Sequence, residues 1–465
     1  MSLIVQKFGG TSLGTPERLL GVSEIIQNSA KQHSVVSVVS AMSSVKKSEG
    51  TTSRLIQAGA QALTGEDYSV ILDQIESSHV DVLEKVINNK GLRTFLETEI
   101  HSELQNLKSF LEAICVIQEI SPRSQDLIVG TGERLSAQVL AGILRDRGVD
   151  AVYTNLSEIG PQGIDSLNPR FNQVLQKLMS DQLPENSKAI PVVTGFFGFV
   201  KGGIIKTVGR GYTDFTAALL AGKLGAEELQ VWKEVDGIFS ADPNKVPKAK
   251  VLDHIFPNEA AELTYFGSEV LHPFTMECAI ANSVPVRIKN TFHPERPGTV
   301  ILPEIPTAET VAQYRPSGKS AIAVTTKGNI TVINIYSNRM LHSSGFMAKV
   351  YETFSKHNVV IDLVSTSEVN ISCTVDRSSD LGDLIEDLKR LGSVTVFQDR
   401  AILSLVGNNM KHVPGVAGKM FTALADQGIN IEMITQGASE INISCVITEV
   451  DSIRALNAIH HTFLE

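Results

Sequence analysis

Strand and helix patterns alternate along residues 2–290, and no other feature of this sequence narrows the possible folds as much. Short apolar segments rich in β-branched residues are separated by stretches of helical periodicity. The predicted strands are residues 2–7, 34–40, 151–155, 188–194, 229–234 and 284–290. Several are continuous apolar runs, which is typical of strands covered on both faces. The alternation predicts an α/β domain whose largely parallel sheet is sandwiched by helices.

Two segments interrupt or end this alternation. Residues from about 66 to 120 have a helical pattern throughout, so we predict a helical insert there, within a domain that spans residues 1–292. The stretch from Pro294 to Pro316 contains five prolines, which predicts a linker at residues 293–317.

The chain after the linker contains an internal repeat. Residues 368–373 read Glu-Val-Asn-Ile-Ser-Cys and residues 440–445 read Glu-Ile-Asn-Ile-Ser-Cys, an offset of 72. Each copy shows a strand, a glycine-started helix, two more strands and a second helix, which is the βαββαβ order of a ferredoxin-like unit. We therefore predict two small domains, residues 318–398 and residues 399–465.

Composition argues against several kinds of partner and site. The net charge of −10 is spread along the chain, whereas nucleic acids and anionic membranes both require a basic surface. The four cysteines are scattered without a Cys-x-x-Cys pair, so we expect reduced thiols rather than disulfides or a metal site. The first strand begins at the N-terminus and leaves no room for a targeting peptide, which favours a cytoplasmic location.

The first predicted strand runs into Lys7-Phe8-Gly9-Gly10-Thr11-Ser12, and a helix follows. Glycines let backbone N–H groups approach an anion closely, hydroxyl groups add donors, and one lysine supplies a positive charge. The segment therefore suits a phosphate group, although a strand, turn and helix with two glycines is also a common tight turn. A P-loop is excluded, because no Gly-Lys pair has the glycine that a Walker A motif places five residues upstream.

Further clusters follow predicted strands or open predicted helices. Ser40 ends the second strand, Thr51 begins the next helix, and Glu133 lies in the segment Gly130–Ser136. Residues at the carboxyl end of a strand line the ligand crevice of an α/β sheet, but they also form ordinary polar turns. Thr51 has the alternative role of a helix cap, and Glu133 has that of a charge complementing a helix dipole.

Arg210 stands between two glycines directly before a predicted helix, and Asp214 lies in the first turn of that helix. An unhindered guanidinium suits a carboxylate or a phosphate. His272 precedes a proline and is interpreted as a structural histidine.

A last cluster follows the fifth strand and suits either a structural turn or a nucleotide. It consists of Lys233, Glu234, Asp236 and Asp242.

Taken in this order, the motifs resemble those of the aspartate kinases of the amino-acid kinase superfamily over essentially the full chain. The motifs are Lys-Phe-Gly-Gly-Thr-Ser, Val-Ser-Ala-Met-Ser, Gly-Glu-Arg-Leu-Ser, Gly-Arg-Gly-Tyr-Thr-Asp and Val-Asp-Gly-Ile-Phe-Ser-Ala-Asp-Pro. The repeat resembles a pair of ACT domains. The stretches 229–243 and 267–276 resemble the fungal branch most closely. Tyr212 and Thr213 stand where bacterial members commonly have Gly-Ser, and Glu269 stands where they have lysine.

The resemblance implies phosphoryl transfer from MgATP to the β-carboxylate of L-aspartate, giving 4-phospho-L-aspartate, the first step towards threonine and methionine. Mg²⁺ would arrive with ATP rather than on ligands from the protein. Arg210 would bind the α-carboxylate of aspartate, and Glu133 and Asp214 would bind its α-amine. Ser40 and Thr51 would add hydrogen bonds. The phosphoryl and nucleotide side would comprise Lys7, Gly9, Gly10, Thr11, Ser12, Lys233, Glu234, Asp236 and Asp242.

The paired ACT-type domains imply an amino-acid effector bound between two copies of the chain, and hence at least a homodimer. The fungal resemblance favours threonine over lysine as the feedback inhibitor. The positions that match the effector pocket of the family are Met340, Ser343, Phe346, Asp362, Thr366 and Ser367.

Two other kinds of protein are compatible with parts of this sequence. Carbamate and acetylglutamate kinases share the fold, but they lack the two-copy tail. A non-catalytic amino-acid sensor with an inactive kinase domain would have the same domain order, but it would be expected to have lost Lys7, Glu133, Arg210 or Asp214, and all four are present.

Overall fold

In the computed structural model the chain forms two compact units. The first contains Met1–Ile238, Asp253–Pro257 and Leu271–Glu304, and the second contains Phe239–Leu252, Asn258–Val270 and Ile305–Glu465. The structure describes residues 1–43, 46–157, 159, 170–184, 188–198, 200–209, 211–265, 271–304, 306–314, 321–337, 345–377, 381–408, 410, 413–437 and 441–465.

Eight strands of the first unit form one sheet in the order β3-β4-β2-β1-β5-β7-β8-β6. They are β1 (Leu3–Phe8), β2 (Ser34–Val39), β3 (Ala151–Thr154), β4 (Ile190–Thr194), β5 (Glu228–Lys233), β6 (His254–Ile255), β7 (Val286–Asn290) and β8 (Thr299–Ile301). All neighbours from β3 to β7 are parallel. The six predicted strands and the α/β class are therefore confirmed.

Strand β8 lies within the stretch predicted to be a linker, and it pairs antiparallel with β7. Pro297 and Pro303 flank this strand and do not interrupt it, so the ladder loses no donor. The predicted domain boundaries themselves stay predictions.

The helices begin and end where capping chemistry allows. Thr15 caps α1, because its Oγ1 accepts a hydrogen bond from the Arg18 N–H at 3.3 Å and Pro16 follows it. The helices are α1 (Pro16–Ser29), α2 (Thr51–Thr64), α3 (Ser69–Val86), α4 (Lys90–Ile117), α5 (Pro122–Asp146), α6 (Phe171–Ser180), α7 (Ile204–Thr207), α8 (Tyr212–Leu224), α9 (Pro257–Tyr265), α10 (Pro273–Ala281), α11 (Ala308–Tyr314), α12 (Phe346–Lys356), α13 (Gly382–Lys389), α14 (Val416–Ala425) and α15 (Ser452–Leu464).

Helices α3 and α4 occupy the stretch predicted to be a helical insert, and α5 follows them into the core of the first unit. Among the described residues, α5 is the one helix long and apolar enough to cross a membrane, but 89% of its apolar window is buried inside the protein. Its apolar character therefore reflects its place in the core, where it packs against β3 and β4.

Six antiparallel strands of the second unit form a sheet in the order β10-β11-β9-β12-β14-β13. They are β9 (Ala323–Tyr336), β10 (Ile361–Thr366), β11 (Asn370–Asp376), β12 (Ser393–Val406), β13 (Met433–Thr435) and β14 (Asn442–Thr448). The two copies of the repeat share β9 and β12. The second half of β9 pairs with β11, whereas its first half pairs with the second half of β12 and supplies a strand to the second copy.

Candidate active site

The parallel strands of the first unit end at one edge of the sheet, and the turn after β1 lies there. Ser12 donates its N–H to the Gly9 carbonyl at 3.0 Å, which closes a short 3₁₀ turn before α1. This turn packs directly on the loop after β2. A Cβ on Gly10 would lie 2.3 Å from the Ala41 carbonyl oxygen, so this contact requires glycine. The Ser43 N–H donates to the Gly10 carbonyl at 3.0 Å and holds the two loops together.

Lys7, near the end of β1, forms an ion pair with Asp214 in the first turn of α8. The Lys7 Nζ lies 2.7 Å from the Asp214 Oδ1, and both side chains are about nine-tenths buried. Burial tends to raise the pKa of Asp214, but the charges of Lys7 and Lys233 hold this pKa below its usual range. The fold thus brings together three predicted site residues that lie far apart in the sequence.

Glu133 lies on α5 and is fully buried. The glycine before it permits a close approach, since a Cβ on Gly132 would lie 2.8 Å from the Ala41 Cβ. The Glu133 Oε1 accepts hydrogen bonds from Ser40 Oγ at 3.4 Å and from Thr213 Oγ1 at 3.1 Å. Burial raises the pKa of Glu133 to about 7, although hydrogen bonds from Tyr212 and Thr213 oppose the shift. Glu133 is therefore a buried acid that titrates near neutrality.

Thr51 belongs to the same cluster through backbone contacts. Its N–H donates to the Met42 carbonyl at 3.0 Å, and a Cβ on Gly132 would lie 3.1 Å from its Cγ2. The Ser136 Oγ donates to the Ser40 carbonyl at 2.7 Å and ties α5 to the end of β2. The predicted substrate residues Ser40, Thr51 and Glu133 therefore lie together.

On the other side of the turn, Ser12 links the start of α1 to the end of β5. Its Oγ donates to the Glu234 Oε1 at 3.4 Å and lies 3.0 Å from the Thr291 Oγ1. Thr291 also donates to the Lys233 carbonyl at 3.1 Å. Sequence reasoning missed Thr291, although its position directly after a strand is the signal that singled out Ser40.

The two aspartates of the last cluster are engaged by neighbouring residues. Asp236 accepts a hydrogen bond from Asn290 Nδ2 at 2.7 Å and pairs with Arg296. Asp242 belongs to the second unit, where its Oδ1 accepts the Asn244 N–H at 3.0 Å. These contacts fix turn geometry, and nucleotide binding by Asp236 and Asp242 stays a prediction.

Several predicted positions lie outside the described residues: Arg210, Glu269, Met340 and Ser343. His272 is described, and its Nδ1 accepts the Phe274 N–H at 3.3 Å as the N-cap of α10. This geometry agrees with its interpretation as a structural histidine. Among the described residues, no group of three or more His, Cys, Asp and Glu side chains could hold a metal ion.

The described effector positions lie at two ends of the first repeat. Asp362, near the start of β10, forms an ion pair with Lys327, whose Nζ is 2.8 Å from the Asp362 Oδ1. Phe346 begins α12 and is buried in the core of this repeat. Thr366 ends β10, Ser367 follows it, and both are exposed.

The site at the sheet edge combines groups of opposite charge at short range. Backbone N–H groups and Lys7 suit the oxygens of an anion, while the buried Glu133 carboxylate suits a cationic group once it is ionised. Such an arrangement can hold a phosphate-bearing molecule next to a zwitterion.

Comparison with known proteins identifies two domain families in the chain. Residues 2–290 match the amino acid kinase family, and residues 333–380 and 403–463 match the ACT domain. The chain is 45% identical to the aspartokinase of Candida albicans over 99% of this chain and 90% of that protein.

Solved structures of E. coli aspartokinase III are similar over 100% of both chains at 29% identity. The TM-score is 0.75 for its complex with aspartate and ADP, and 0.78 for its complex with lysine and aspartate. The chain therefore belongs to the amino acid kinase family and, within it, to the aspartokinases that carry ACT domains.

Proposed function

We propose that this enzyme transfers the γ-phosphoryl group of MgATP to the β-carboxylate of L-aspartate, giving ADP and 4-phospho-L-aspartate. The observation that carries the proposal is the cluster of Lys7, Asp214 and buried Glu133 around the glycine turn. The related E. coli enzyme binds aspartate and ADP, which are a substrate and a product of this reaction.

In the proposed reaction, a β-carboxylate oxygen attacks the γ-phosphorus while the bond to the ADP oxygen breaks. A carboxylate is already ionised at neutral pH, so no general base is needed. The main task is to bring two anions into line and to offset their repulsion. Lys7 and the N–H groups of Gly10 and Thr11 supply positive potential at the transferring group, and Lys233 supplies it on the nucleotide side.

We assign aspartate recognition to the groups around α5 and α8. Arg210 binds the α-carboxylate, Glu133 and Asp214 bind the α-amine, and Ser40 and Thr51 add hydrogen bonds. Mg²⁺ enters with ATP, since this ion is held mainly by substrate phosphates and one or two carboxylates. Glu234 is the carboxylate at the end of β5 that suits this role, because Asp236 is engaged by Asn290 and Arg296.

We further propose feedback inhibition by threonine, bound by the ACT domains of a homodimer, in a cytoplasmic enzyme that begins threonine and methionine biosynthesis. Asp362 lies at the end of the sheet where Thr331 pairs with Val375, whereas α12 starts beyond Tyr336 at the other end. Thr331 and Tyr336 lie about 17 Å apart along β9, at about 3.3 Å per residue. We infer that a ligand touching both Asp362 and the start of α12 takes them from two copies of the chain.

An ATP- and aspartate-dependent hydroxamate assay tests the reaction. We expect turnover by the wild type and a loss of about 10²–10³-fold or more in Lys7→Ala, because a preorganised charge at the transition state is removed. Lys31→Ala is the matched control, since Lys31 is exposed and pairs only with Asn28 among its described contacts. A folded wild type without aspartate-dependent turnover would instead support the amino-acid sensor.

The pH dependence of aspartate use tests the role of Glu133. Its pKa of about 7 means that the carboxylate is increasingly protonated as the pH falls through 7. A protonated acid binds an ammonium group poorly, so kcat/KM for aspartate should fall on the acid side with an apparent pKa near 7. An aspartate kcat/KM that stays flat from pH 8 to 6 would contradict this assignment.

Titration with threonine and with lysine tests regulation in wild type and in Asp362→Ala. We expect threonine to inhibit the wild type and to be needed at higher concentration in the variant, while uninhibited turnover stays unchanged. Inhibition by lysine alone would overturn the choice of effector, and inhibition by neither amino acid would overturn the regulatory proposal.

A further inference from the structure

A single helical turn, α7, precedes position 210 and is bounded by glycines of unusual backbone geometry. Gly203 before it and Gly209 after it have φ angles of 89° and 86°, a region that favours glycine. Because neither glycine has a side chain, α7 is held by its buried Ile204 and by contacts with the rest of the first unit, one of which comes from α5.

Asp126 on α5 provides this contact. It is 1% exposed, and its Oδ2 accepts the N–H of Ile204, the first residue of α7, at 2.7 Å. The N–H of Ile205 also hydrogen bonds to this carboxylate. A Cβ on Gly203 would lie 2.9 Å from the Pro122 Cβ, so the turn rests directly on the first turn of α5.

Hydrogen bonds within the turn connect Ile204 to the residues at its end. Val208 and Gly209 donate their N–H groups to the Ile204 carbonyl at 2.8 and 3.1 Å. Thr207 Oγ1 donates to the Gly203 carbonyl at 2.7 Å. A closed turn of this kind moves as one piece, so displacing Ile204 displaces Gly209, the residue next to position 210.

Asp126 and Glu133 lie on the same helix, seven residues or about two turns apart, which is about 10 Å of helix rise. Residues at this spacing share a helix face. One stiff element therefore carries both the proposed amine-binding carboxylate and the carboxylate that holds α7.

We propose that Asp126 is a positioning residue for amino-acid binding: by holding α7 it fixes the position of Gly209, the residue to which the proposed carboxylate-binding Arg210 is covalently joined. Because Asp126 and Glu133 lie on one helix, α7 is held at a set distance from the proposed amine-binding carboxylate. This inference rests on the proposed function of Arg210 and Glu133, and Asp126 itself touches no substrate.

A buried carboxylate is an unfavourable choice for a purely structural contact. Burial raises the pKa of Asp126 to about 6, and the two N–H donors only partly offset this. A carboxylate can accept from two adjacent N–H groups at once, which orients the turn in a way that one neutral acceptor cannot.

Three variants test the proposal: Asp126→Ala, Asp126→Asn and Asp146→Ala. The matched control is Asp146, which lies at the other end of α5 and accepts the N–H groups of Asn88 and Asn89 at 3.0 and 2.9 Å. We expect Asp126→Ala to raise KM for aspartate about 10–100-fold with little change in KM for ATP, because small misplacements of substrate-positioning groups have such effects. Asp126→Asn keeps one acceptor and should restore part of this loss.

Limited trypsinolysis adds a readout that is independent of turnover. Lys206 is exposed on α7, so a released turn should be cleaved there several-fold faster in Asp126→Ala, but not in Asp146→Ala. Unchanged aspartate KM and cleavage in both Asp126 variants would overturn the proposal, as would an equal rise of aspartate KM in Asp146→Ala. If the wild type fails to phosphorylate aspartate, the proposed function fails, whereas the cleavage rates still decide whether Asp126 holds α7.

Discussion

Individual glycines allow the loops of the candidate site to approach each other. Gly10 and Gly132 both face Ala41, at distances where any side chain would overlap its neighbour. Gly21, only eleven residues after Gly10, has open space where its Cβ would be. The sequence does not distinguish these glycines, since the difference depends on which loop lies opposite.

Alanine substitution should therefore act in opposite directions at Gly10 and Gly21. Gly10→Ala should destabilise the first unit by about 1–3 kcal/mol and reduce turnover, because the new methyl group displaces the turn from the Ala41 carbonyl. Gly21→Ala lies inside α1 and should stabilise by up to about 1 kcal/mol. Thermal unfolding and hydroxamate assays measure both effects; equal behaviour of the two variants would contradict the packing argument.

His79 on α3 is a fully buried imidazole away from the candidate site. Its Nδ1 lies 2.7 Å from the Ile75 carbonyl oxygen, and that oxygen accepts only if Nδ1 carries the proton. Burial lowers the pKa of His79 from 6.5 to about 4, so the ring is neutral at pH 7. The unfolded chain therefore binds a proton in this pH range more readily than the folded one.

Replacing His79 should make the free energy of unfolding less dependent on pH on the acid side of neutrality. Because the folded pKa is the lower one, stability is full above pH 6.5 and is lost progressively as the pH falls towards 4. The loss attributable to His79 is at most about 3 kcal/mol, at about 1.4 kcal/mol per pKa unit. Glu133 and Asp126 shift in the opposite sense, so the measurement is the difference between wild type and His79→Leu in urea at several pH values. Parallel curves would show that His79 does not contribute.

At the scale of elements, the repeat is built from shared strands. Val324, in the first half of β9, is buried with residues of the second copy, among them Leu403, Leu405 and Ile443. It nevertheless lies within residues 318–398, the sequence range of the first copy. The second copy ends in a helix, and the strand that completes its sheet comes from the start of β9.

Val324→Ala should weaken the second copy rather than the first. Removing two buried methyl groups costs about 2 kcal/mol, and hydrogen exchange should speed up in peptides of β12 and β14. Val350→Ala in α12, which is buried in the first copy, is the matched control and should affect β10 and β11 instead. Faster exchange in β10 and β11 for Val324→Ala would contradict the shared-strand assignment.

At the scale of the whole molecule, the compact units do not follow the family boundary at residue 290. Ala241 and Val246 lie within the kinase-family match, but they are buried in the core of the second ACT copy. Ser240 Oγ lies 3.0 Å from His460 Nε2, and the buried Glu259 accepts the Asn408 N–H at 2.9 Å.

A chain truncated before residue 318 should therefore be unstable as well as insensitive to effectors. The truncation would leave Ala241 and Val246 exposed and Glu259 without the Asn408 donor, and each lost buried contact of this kind costs about 1–3 kcal/mol. We expect low soluble yield or a strongly lowered Tm for residues 1–317. A truncated protein as stable as the full chain would show that these contacts contribute little.

The sequence by itself determined the elements whose signals are local. The six parallel strands, the cap at Thr15, the helical insert and the repeat are encoded by periodicity and by residues next to one another. The glycine turn after β1 was found in the same way, because a strand end, two glycines and a helix start are contiguous.

Only the tertiary structure decided what meets across long separations. The ion pair of Lys7 with Asp214, the burial that raises the pKa of Glu133, the engagement of Asp236 by Asn290 and Arg296, and the exchange of strands between the repeats all join residues that are far apart in the chain. Local propensity carries no information on such pairs. They are selected by the packing of whole elements, which fixes which charges are desolvated and which side chains find a partner.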